Sequence, residues 1–185
     1  MKIHKLPSVL VMQLKRFKYN EKLGYMTKLD WRVSFPLELR VWNTTPDSTD
    51  ADRLYMLFAV VVHIGASLGH GHYVSLVYSS QRQSWVLFDD DLVMEVEPDV
   101  LAKVFGPGGM ASLTVDDTVQ RPLNVDLNKG YGLVDPLGTF AVQGSDGMGI
   151  GGGGESAKKR AKALEMLGRG TGYILFYQAV SDECI

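Results

Sequence analysis

Three histidines and three consecutive aspartates are the side chains of this sequence best suited to move protons; they are His63, His70 and His72, and Asp89, Asp90 and Asp91. Imidazole exchanges protons near neutral pH because its unperturbed pKa is about 6.5. A carboxylate that accepts a hydrogen bond from one ring nitrogen fixes the tautomer and stabilises the imidazolium. The sequence therefore contains both halves of a general base that could activate a nucleophile.

The strand pattern predicts which histidine meets which aspartate. A strand is expected over 72–78 and a second over 85–88, joined by a polar connection over 79–84. In such a hairpin, His72 begins the first strand and Asp89 follows the second, so the two side chains come level at one end. The predicted pair is thus His72 with Asp89.

Two other interpretations of the same residues stay open. His70 and His72 are two apart and would point the same way on an extended chain, so with an aspartate they could bind zinc. The glycines on either side of His70 argue against a rigid presentation. The histidines could also be ordinary surface residues. His63 ends an apolar run, which favours a structural role with its ring bonded to the backbone.

A nucleophile is harder to find. Cys184 is the only cysteine, so the chain cannot form an intramolecular disulfide or a zinc site of several thiolates. It is the penultimate residue, in a polar tail, where we expect nothing to hold it in an attack geometry. A catalytic role for Cys184 is therefore not expected.

Apolar periodicity predicts the elements that would position these residues. Strands are expected over 6–17, 31–35 and 54–62 before the hairpin, with a turn over 20–24 and a polar loop over 43–52. The run over 54–62 contains three consecutive valines, which favours a strand buried on both faces. A short helix is expected over 97–105. The predicted fold is an antiparallel meander with little helix.

Composition narrows the function classes. The 185 residues suit one domain, and 19 Lys plus Arg against 21 Asp plus Glu give no basic field for nucleic acid. No stretch approaches the roughly 20 apolar residues of a membrane helix, and the start does not match a signal peptide. We expect a soluble chain, cytoplasmic or nuclear, that binds neither nucleic acid nor membrane.

A glycine-rich segment interrupts the pattern. Residues 107–171 are rich in Gly, Asp and Ser and are expected to form a low-complexity, disordered insertion. Strong helix formers occur over 155–167 within it. Their basic cluster, Lys158, Lys159, Arg160 and Lys162, is interpreted as a solvated helical face, with a nuclear-import signal or interaction patch as the alternative.

Several motifs in order give the chain a family resemblance. They are Leu14, Lys15, Arg16 and Phe17; Lys28, Leu29, Val33, Phe35 and Pro36; the strand with Val60, Val61, Val62 and His63; Gly71, His72 and Tyr73; Trp85, Phe88, Asp89 and Asp90; and GYILFY over 172–177. The chain resembles the C-terminal part of the catalytic domain of ubiquitin-specific proteases, most of all the subfamily activated by WD-repeat proteins. The resemblance implies an α+β, antiparallel β-rich, incomplete papain-like cysteine protease fold.

The resemblance also implies roles for individual residues. His72 would be the general base, Asp89 the residue that orients it and Asp90 an auxiliary carboxylate. Gly71 and Tyr73 would line the narrow channel for the Gly-Gly tail of ubiquitin, and His63 would stay structural. His70 has no family role, which weakens the metal interpretation. The implied partners are ubiquitin, ubiquitinated proteins and WD-repeat activators.

The resemblance finally implies a domain division. Residues 1–106 would be a partial catalytic domain, 107–171 the insertion, 172–180 the closing strand and 181–185 a tail. The family's cysteine box and its zinc-binding cysteine pairs precede these motifs and match nothing here. We therefore expect a deubiquitinase fragment that is inactive alone, with no metal or cofactor in this chain and a structural zinc in the region upstream. The alternative is a non-catalytic fragment that binds ubiquitin or a WD-repeat partner.

Overall fold

The computed structural model describes residues 2–41, 44–47, 53–67, 69–105 and 153–180. Nine strands and two helices occur in these residues. In chain order they are β1 Val9–Gln13, β2 Phe17–Asn20, β3 Tyr25–Lys28, β4 Glu38–Val41, β5 Arg53–Ile64, β6 His72–Ser79, β7 Ser84–Asp89, β8 Leu92–Val96, α1 Pro98–Phe105, α2 Gly153–Arg169 and β9 Thr171–Ala179. The antiparallel β-rich architecture predicted from the sequence is confirmed.

Seven of the strands form one antiparallel sheet around β5. The order is β1-β9-β5-β6-β7-β8, and β4 pairs with the first residues of β5. Strands β2 and β3 form a separate hairpin. The last strand in sequence, β9, therefore lies between β1 and β5, so residues distant in the chain are brought together at the centre of the sheet.

Strand β5 is central because its residues are apolar on both faces. Val60 and Val62 are fully buried, and Tyr55 and Leu57 on the same strand belong to the core as well. Helices α1 and α2 contact each other, and α2 contacts β5. The predicted strand over 54–62 is present and continues through His63 to Ile64. The expected burial on both faces is incomplete, because Phe58, Ala59 and Val61 are only half-buried.

The first predicted strand, 6–17, divides into two. Strand β1 ends at Gln13 and β2 begins at Phe17, because Arg16 turns into the interior and is only 4% exposed. Its guanidinium donates from Nε to the carbonyl oxygen of Gly172 at 2.9 Å and from Nη1 to that of Trp31 at 2.5 Å. A buried cation needs hydrogen-bond acceptors in place of water. Arg16 reaches these two carbonyl groups from the irregular segment between β1 and β2.

The predicted strand over 31–35 is wrong. These residues join no ladder, and Trp31 is 73% exposed and Val33 41% exposed. Only Phe35 is buried, 5.2 Å between ring centroids from Phe105 of α1. The alternation of Trp31, Val33 and Phe35 is thus not that of a strand. Of the three side chains, only the Phe35 ring is buried. Strand β8, in contrast, was not predicted and extends the meander by one strand.

Most of the predicted insertion, residues 107–152, lies outside the described residues. For 153–169, the expectation of disorder is wrong, since this segment is helix α2. Ala163 and Leu167, four residues apart and therefore on one helix face, are buried in the core. The neighbouring Lys158, Lys159 and Lys162 are exposed, as expected for a solvated face. Burial of this apolar stripe orders the helix despite its glycine-rich surroundings.

Within the residues that the structure describes, no helix is long and apolar enough to cross a membrane.

Candidate active site

The β6–β7 hairpin brings His72 and Asp89 together at one end of the sheet. The strands pair from Ser79 with Ser84 to Ser75 with Phe88, so His72 and Asp89 lie just beyond the paired residues. Nε2 of His72 is 2.5 Å from Oδ1 of Asp89. The pairing of these two residues, predicted from the strand pattern, is present in the structure.

The two ring nitrogens of His72 have different roles in this geometry. Because Asp89 can only accept when ionised, the Nε2 proton of His72 is the donor, which leaves the lone pair on Nδ1. Nδ1 makes no hydrogen bond within the described part of the chain. The His72 side chain is 32% exposed and that of Asp89 is 20% exposed. The half-exposed ring of His72 is therefore held by Asp89 with the lone pair of Nδ1 left free to accept a proton.

Asp90 lies beside this pair on the turn into β8. It is exposed and has a φ of 51°, in the left-handed region that non-glycine residues rarely adopt. His72, Asp89 and Asp90 each offer a ligand atom, and these atoms lie within 4.8 Å of one another. His70, which the zinc interpretation required, does not belong to this group. Exposed carboxylates cluster often without a metal, so the grouping does not by itself indicate one.

Asp91 completes the aspartate run but binds a lysine of α2 and does not belong to the group of His72, Asp89 and Asp90. Both of its carboxylate oxygens are 2.8 Å from Nζ of Lys159 on α2. This hydrogen bond and charge hold the pKa of Asp91 below its usual value. The three consecutive aspartates thus have three environments, and only Asp89 contacts a histidine among the described residues.

Gly71 lies directly before His72, and its α-carbon backs onto the ring of His63. A β-carbon at Gly71 would be 2.1 Å from Nε2 of His63 and 2.8 Å from Cε1. No side chain fits there, so a glycine is needed for internal packing. Tyr73, on the other side of His72, is 51% exposed, with its ring centroid 4.7 Å from that of His63 and 6.0 Å from that of Tyr173.

His63 is structural, as predicted, but not for the predicted reason. It is 1% exposed, and its Nδ1 has no hydrogen-bond partner in the part of the chain described. The expected backbone partner of the ring is therefore wrong. Burial, followed by the charge of Lys28, lowers the pKa of His63 against the opposing charge of Asp30. The ring is held neutral between aromatic neighbours, with Phe17 at 5.7 Å between centroids.

Two buried cations near the site were not singled out from the sequence as structural residues. Lys28 has a side chain only 2% exposed, and Arg16 is 4% exposed. A signal for Arg16 existed, since it continues the alternating face of Leu10, Met12 and Leu14 and so falls at a position expected to be buried. Lys28 carries no comparable signal, because its burial depends on the carbonyl groups of His63 and Gly65, 35 and 37 residues away.

No cysteine occurs among the described residues, and Cys184 lies outside them. A structural zinc held by pairs of cysteines needs several thiolates. With one cysteine in 185 residues, the donor set of this chain does not fit such an ion.

Comparison with known proteins is consistent with this geometry. A family model described as "Ubiquitin carboxyl-terminal hydrolase" matches residues 1–177. Over 106 residues, 57% of this chain, the sequence is 51% identical to ubiquitin carboxyl-terminal hydrolase creB of Emericella nidulans. Over the same length it is 48% identical to ubiquitin carboxyl-terminal hydrolase 12 of Salmo salar. The matched part is only 14% of the first relative's length and 28% of the second's.

A solved structure shares the fold. A chain of the SAGA Ubp8/Sgf11/Sus1/Sgf73 DUB module superposes with a TM-score of 0.52, covering 97% of this chain and 25% of its own length. Sequence identity is 23%.

Proposed function

Because the chain belongs to the ubiquitin carboxyl-terminal hydrolase family, we propose that its His72 and Asp89 serve a cysteine-type deubiquitinase. The reaction is hydrolysis of the peptide or isopeptide bond that follows the C-terminal glycine of ubiquitin. The observation that carries the proposal is the 2.5 Å contact between Nε2 of His72 and Oδ1 of Asp89, which leaves Nδ1 as the basic nitrogen.

The proposed steps use Nδ1 twice. It accepts the proton of a thiol, the thiolate attacks the carbonyl carbon, and the resulting imidazolium donates that proton to the lysine amine as the bond breaks. Water then attacks the thioester, again with Nδ1 as the base, to release ubiquitin and regenerate the thiol. Asp89 stays ionised throughout and stabilises the imidazolium.

The thiol is proposed to come from outside these 185 residues. Cys184 is the only candidate within them, and an attacking atom must be held within about half an ångström of its productive position. We therefore expect the isolated chain not to cleave ubiquitin conjugates. Turnover by the purified chain that is lost in Cys184→Ala would contradict this expectation.

Asp90, Gly71 and Tyr73 have supporting roles in the proposal. Asp90 would act as an auxiliary carboxylate, since one of its carboxylate oxygens lies within 4.8 Å of a ligand atom of His72 and one of Asp89. Gly71 and Tyr73 flank His72 in sequence and would border the path of ubiquitin's terminal glycines. The exposed ring of Tyr73 offers an apolar surface to an extended peptide.

The proposed partners and setting follow the family resemblance. Ubiquitin and its conjugates would be the substrates, WD-repeat proteins the activators, and the cytoplasm or nucleus the location. Identity of about 50% to other ubiquitin carboxyl-terminal hydrolases supports the substrate class. A structural zinc would belong to segments of the complete protein beyond this chain, and metal analysis of that protein would test it.

A chimaeric enzyme tests the function directly. This chain would replace the matching part of the Salmo salar ubiquitin carboxyl-terminal hydrolase 12, and cleavage of a ubiquitin-fluorophore conjugate would be measured. We expect an active chimaera in which His72→Asn lowers kcat on the order of a thousandfold or more. His70→Asn, two residues away, is the matched control and should leave the rate unchanged. Equal losses in both variants would refute the assignment of His72.

One observation favours a second function, a non-catalytic fragment that binds ubiquitin. It is the single cysteine at the penultimate position. An inactive chimaera, together with saturable binding of isotopically labelled ubiquitin by the isolated chain, would support this function over the enzyme.

A further inference from the structure

The loop that leads into His72 is closed at its base by two glycines, Gly65 and Gly71, which we call the loop neck. Gly65 has a φ of 131°, and a β-carbon there would be 2.9 Å from both the α-carbon of Gly71 and the carbonyl oxygen of His70. The two ends of the loop are thus in contact. Since His72 follows Gly71 immediately, the position of the loop neck constrains the position of the His72 backbone.

Lys28 holds the first side of the loop neck. It is the last residue of β3. Its Nζ donates to the carbonyl oxygen of Gly65 at 2.5 Å and to that of His63 at 3.3 Å. With a side chain 2% exposed, its ammonium group has these oxygens in place of water. A single carboxylate, Asp30, lies 3.5 Å away and balances part of the charge. Both carbonyl groups lie where β5 ends and the loop begins.

His63 holds the second side. Its neutral ring packs against the α-carbon of Gly71 and is enclosed by Phe17 and Tyr73. The carbonyl oxygen of His63 also accepts from Oγ1 of Thr171 at 3.4 Å, which ties the same residue to β9. One buried residue therefore links the neck to the sheet and to Lys28.

We propose that Lys28 and His63 are positioning residues that hold the loop neck so that His72 keeps its contact with Asp89. The catalytic consequence rests on the proposed deubiquitinase function, whereas the geometric claim does not. Neither residue contacts the reacting atoms; Lys28 acts through the backbone of Gly65, and His63 acts through that of Gly71.

The test is the nitrogen spectrum of the His72 ring in the full 185-residue chain, at a pH where imidazole is neutral. In the wild type, the bond to Asp89 fixes one tautomer, so the two ring nitrogens give well-separated resonances. We expect Lys28→Met to collapse this separation toward the average of exchanging tautomers. Lys28→Arg retains a cationic donor and should restore much of it. Lys18→Met, at an exposed lysine of the same hairpin, is the control and should not alter the His72 signals.

Unchanged His72 resonances in Lys28→Met would overturn the proposal. If Lys28→Met does not fold, Gly71→Ala tests the proposal instead. The added β-carbon would displace the His63 ring from the loop neck. We expect the same collapse there, and fixed, well-separated resonances would overturn the proposal. These readouts need no enzyme activity. A failed chimaera with collapsed resonances in Lys28→Met would therefore refute the function and keep the positioning role.

Discussion

Arg16 gives a prediction whose size follows from the contacts of its guanidinium group. Lys15 and Arg16 are adjacent and both cationic, but Lys15 is exposed while Arg16 is 4% exposed. Arg16 donates to the carbonyl oxygens of Gly172 and Trp31, so it ties the segment after β1 to β9 and to the connection before β4. A longer hydrogen bond, 3.5 Å, runs from Nη1 to the carbonyl oxygen of Leu29. Arg16→Met keeps the length of the side chain and removes all three hydrogen bonds.

Two opposing contributions determine how much Arg16→Met lowers the free energy of unfolding. The two shorter hydrogen bonds, to Gly172 and Trp31, contribute about 1.5–3 kcal/mol each, or about 6 kcal/mol at most, and the bond of 3.5 Å to Leu29 adds little. Against this stands the cost of taking the guanidinium out of water, which also lowers the pKa of Arg16 and which methionine does not incur. We expect a net loss of about 2–4 kcal/mol, a large share of the roughly 5–15 kcal/mol by which a domain is stable.

Urea unfolding followed by circular dichroism measures this loss, with Lys15→Met as the matched control. The control should change the free energy of unfolding by less than about 0.5 kcal/mol, as is usual for a surface substitution. Equal effects of the two substitutions would refute the reasoning, because they would mean that the two carbonyl contacts of Arg16 contribute nothing beyond a surface charge.

Three further predictions concern other parts of the fold. Leu167→Ala should lower the free energy of unfolding in urea by about 2–5 kcal/mol, because Leu167 of α2 is fully buried. Lys162→Ala, on the exposed face, should lower it little. Equal losses in the two variants would show that α2 does not pack on the core. The lowered pKa of His63 means that the unfolded state takes up more protons below about pH 6.5. Stability should therefore fall as the pH is lowered from about 6.5 toward 5, less steeply in His63→Gln; identical slopes would contradict this. Lys159→Met should raise the pKa of Asp91 toward its usual value in a carboxyl NMR titration, and 1 M salt should do the same to the wild type; an unchanged pKa would mean that the ion pair does not form in solution.

The sequence predicted the contact between His72 and Asp89 because its geometry is local. His72 and Asp89 are 17 residues apart and joined by one hairpin, so strand periodicity alone brings them to the same end. Strand β5 was predictable for a similar reason, since consecutive β-branched residues favour a strand.

The features that were missed depend on contacts between distant segments. The extended connection over 31–35 shows strand-like alternation, yet its position is set by Arg16, Phe105 and Gly172, none of which a local pattern identifies. Helix α2 lies beyond a glycine-rich run whose composition suggested disorder, and only the apolar stripe of Ala163 and Leu167 reveals that it packs. The burial of Lys28 requires the carbonyl group of Gly65, 37 residues away.

The most direct test of the proposed site is kcat of the chimaeric enzyme with Asp89→Asn, compared with Asp91→Asn. Asp89 orients the base, so we expect kcat to fall on the order of a hundredfold to ten-thousandfold with little change in KM. Asp91 binds Lys159, at a distance from the reacting atoms, and its substitution should leave kcat unchanged. An Asp89→Asn enzyme as active as the Asp91→Asn enzyme would contradict the assignment of His72 and Asp89 as the base and its orienting carboxylate.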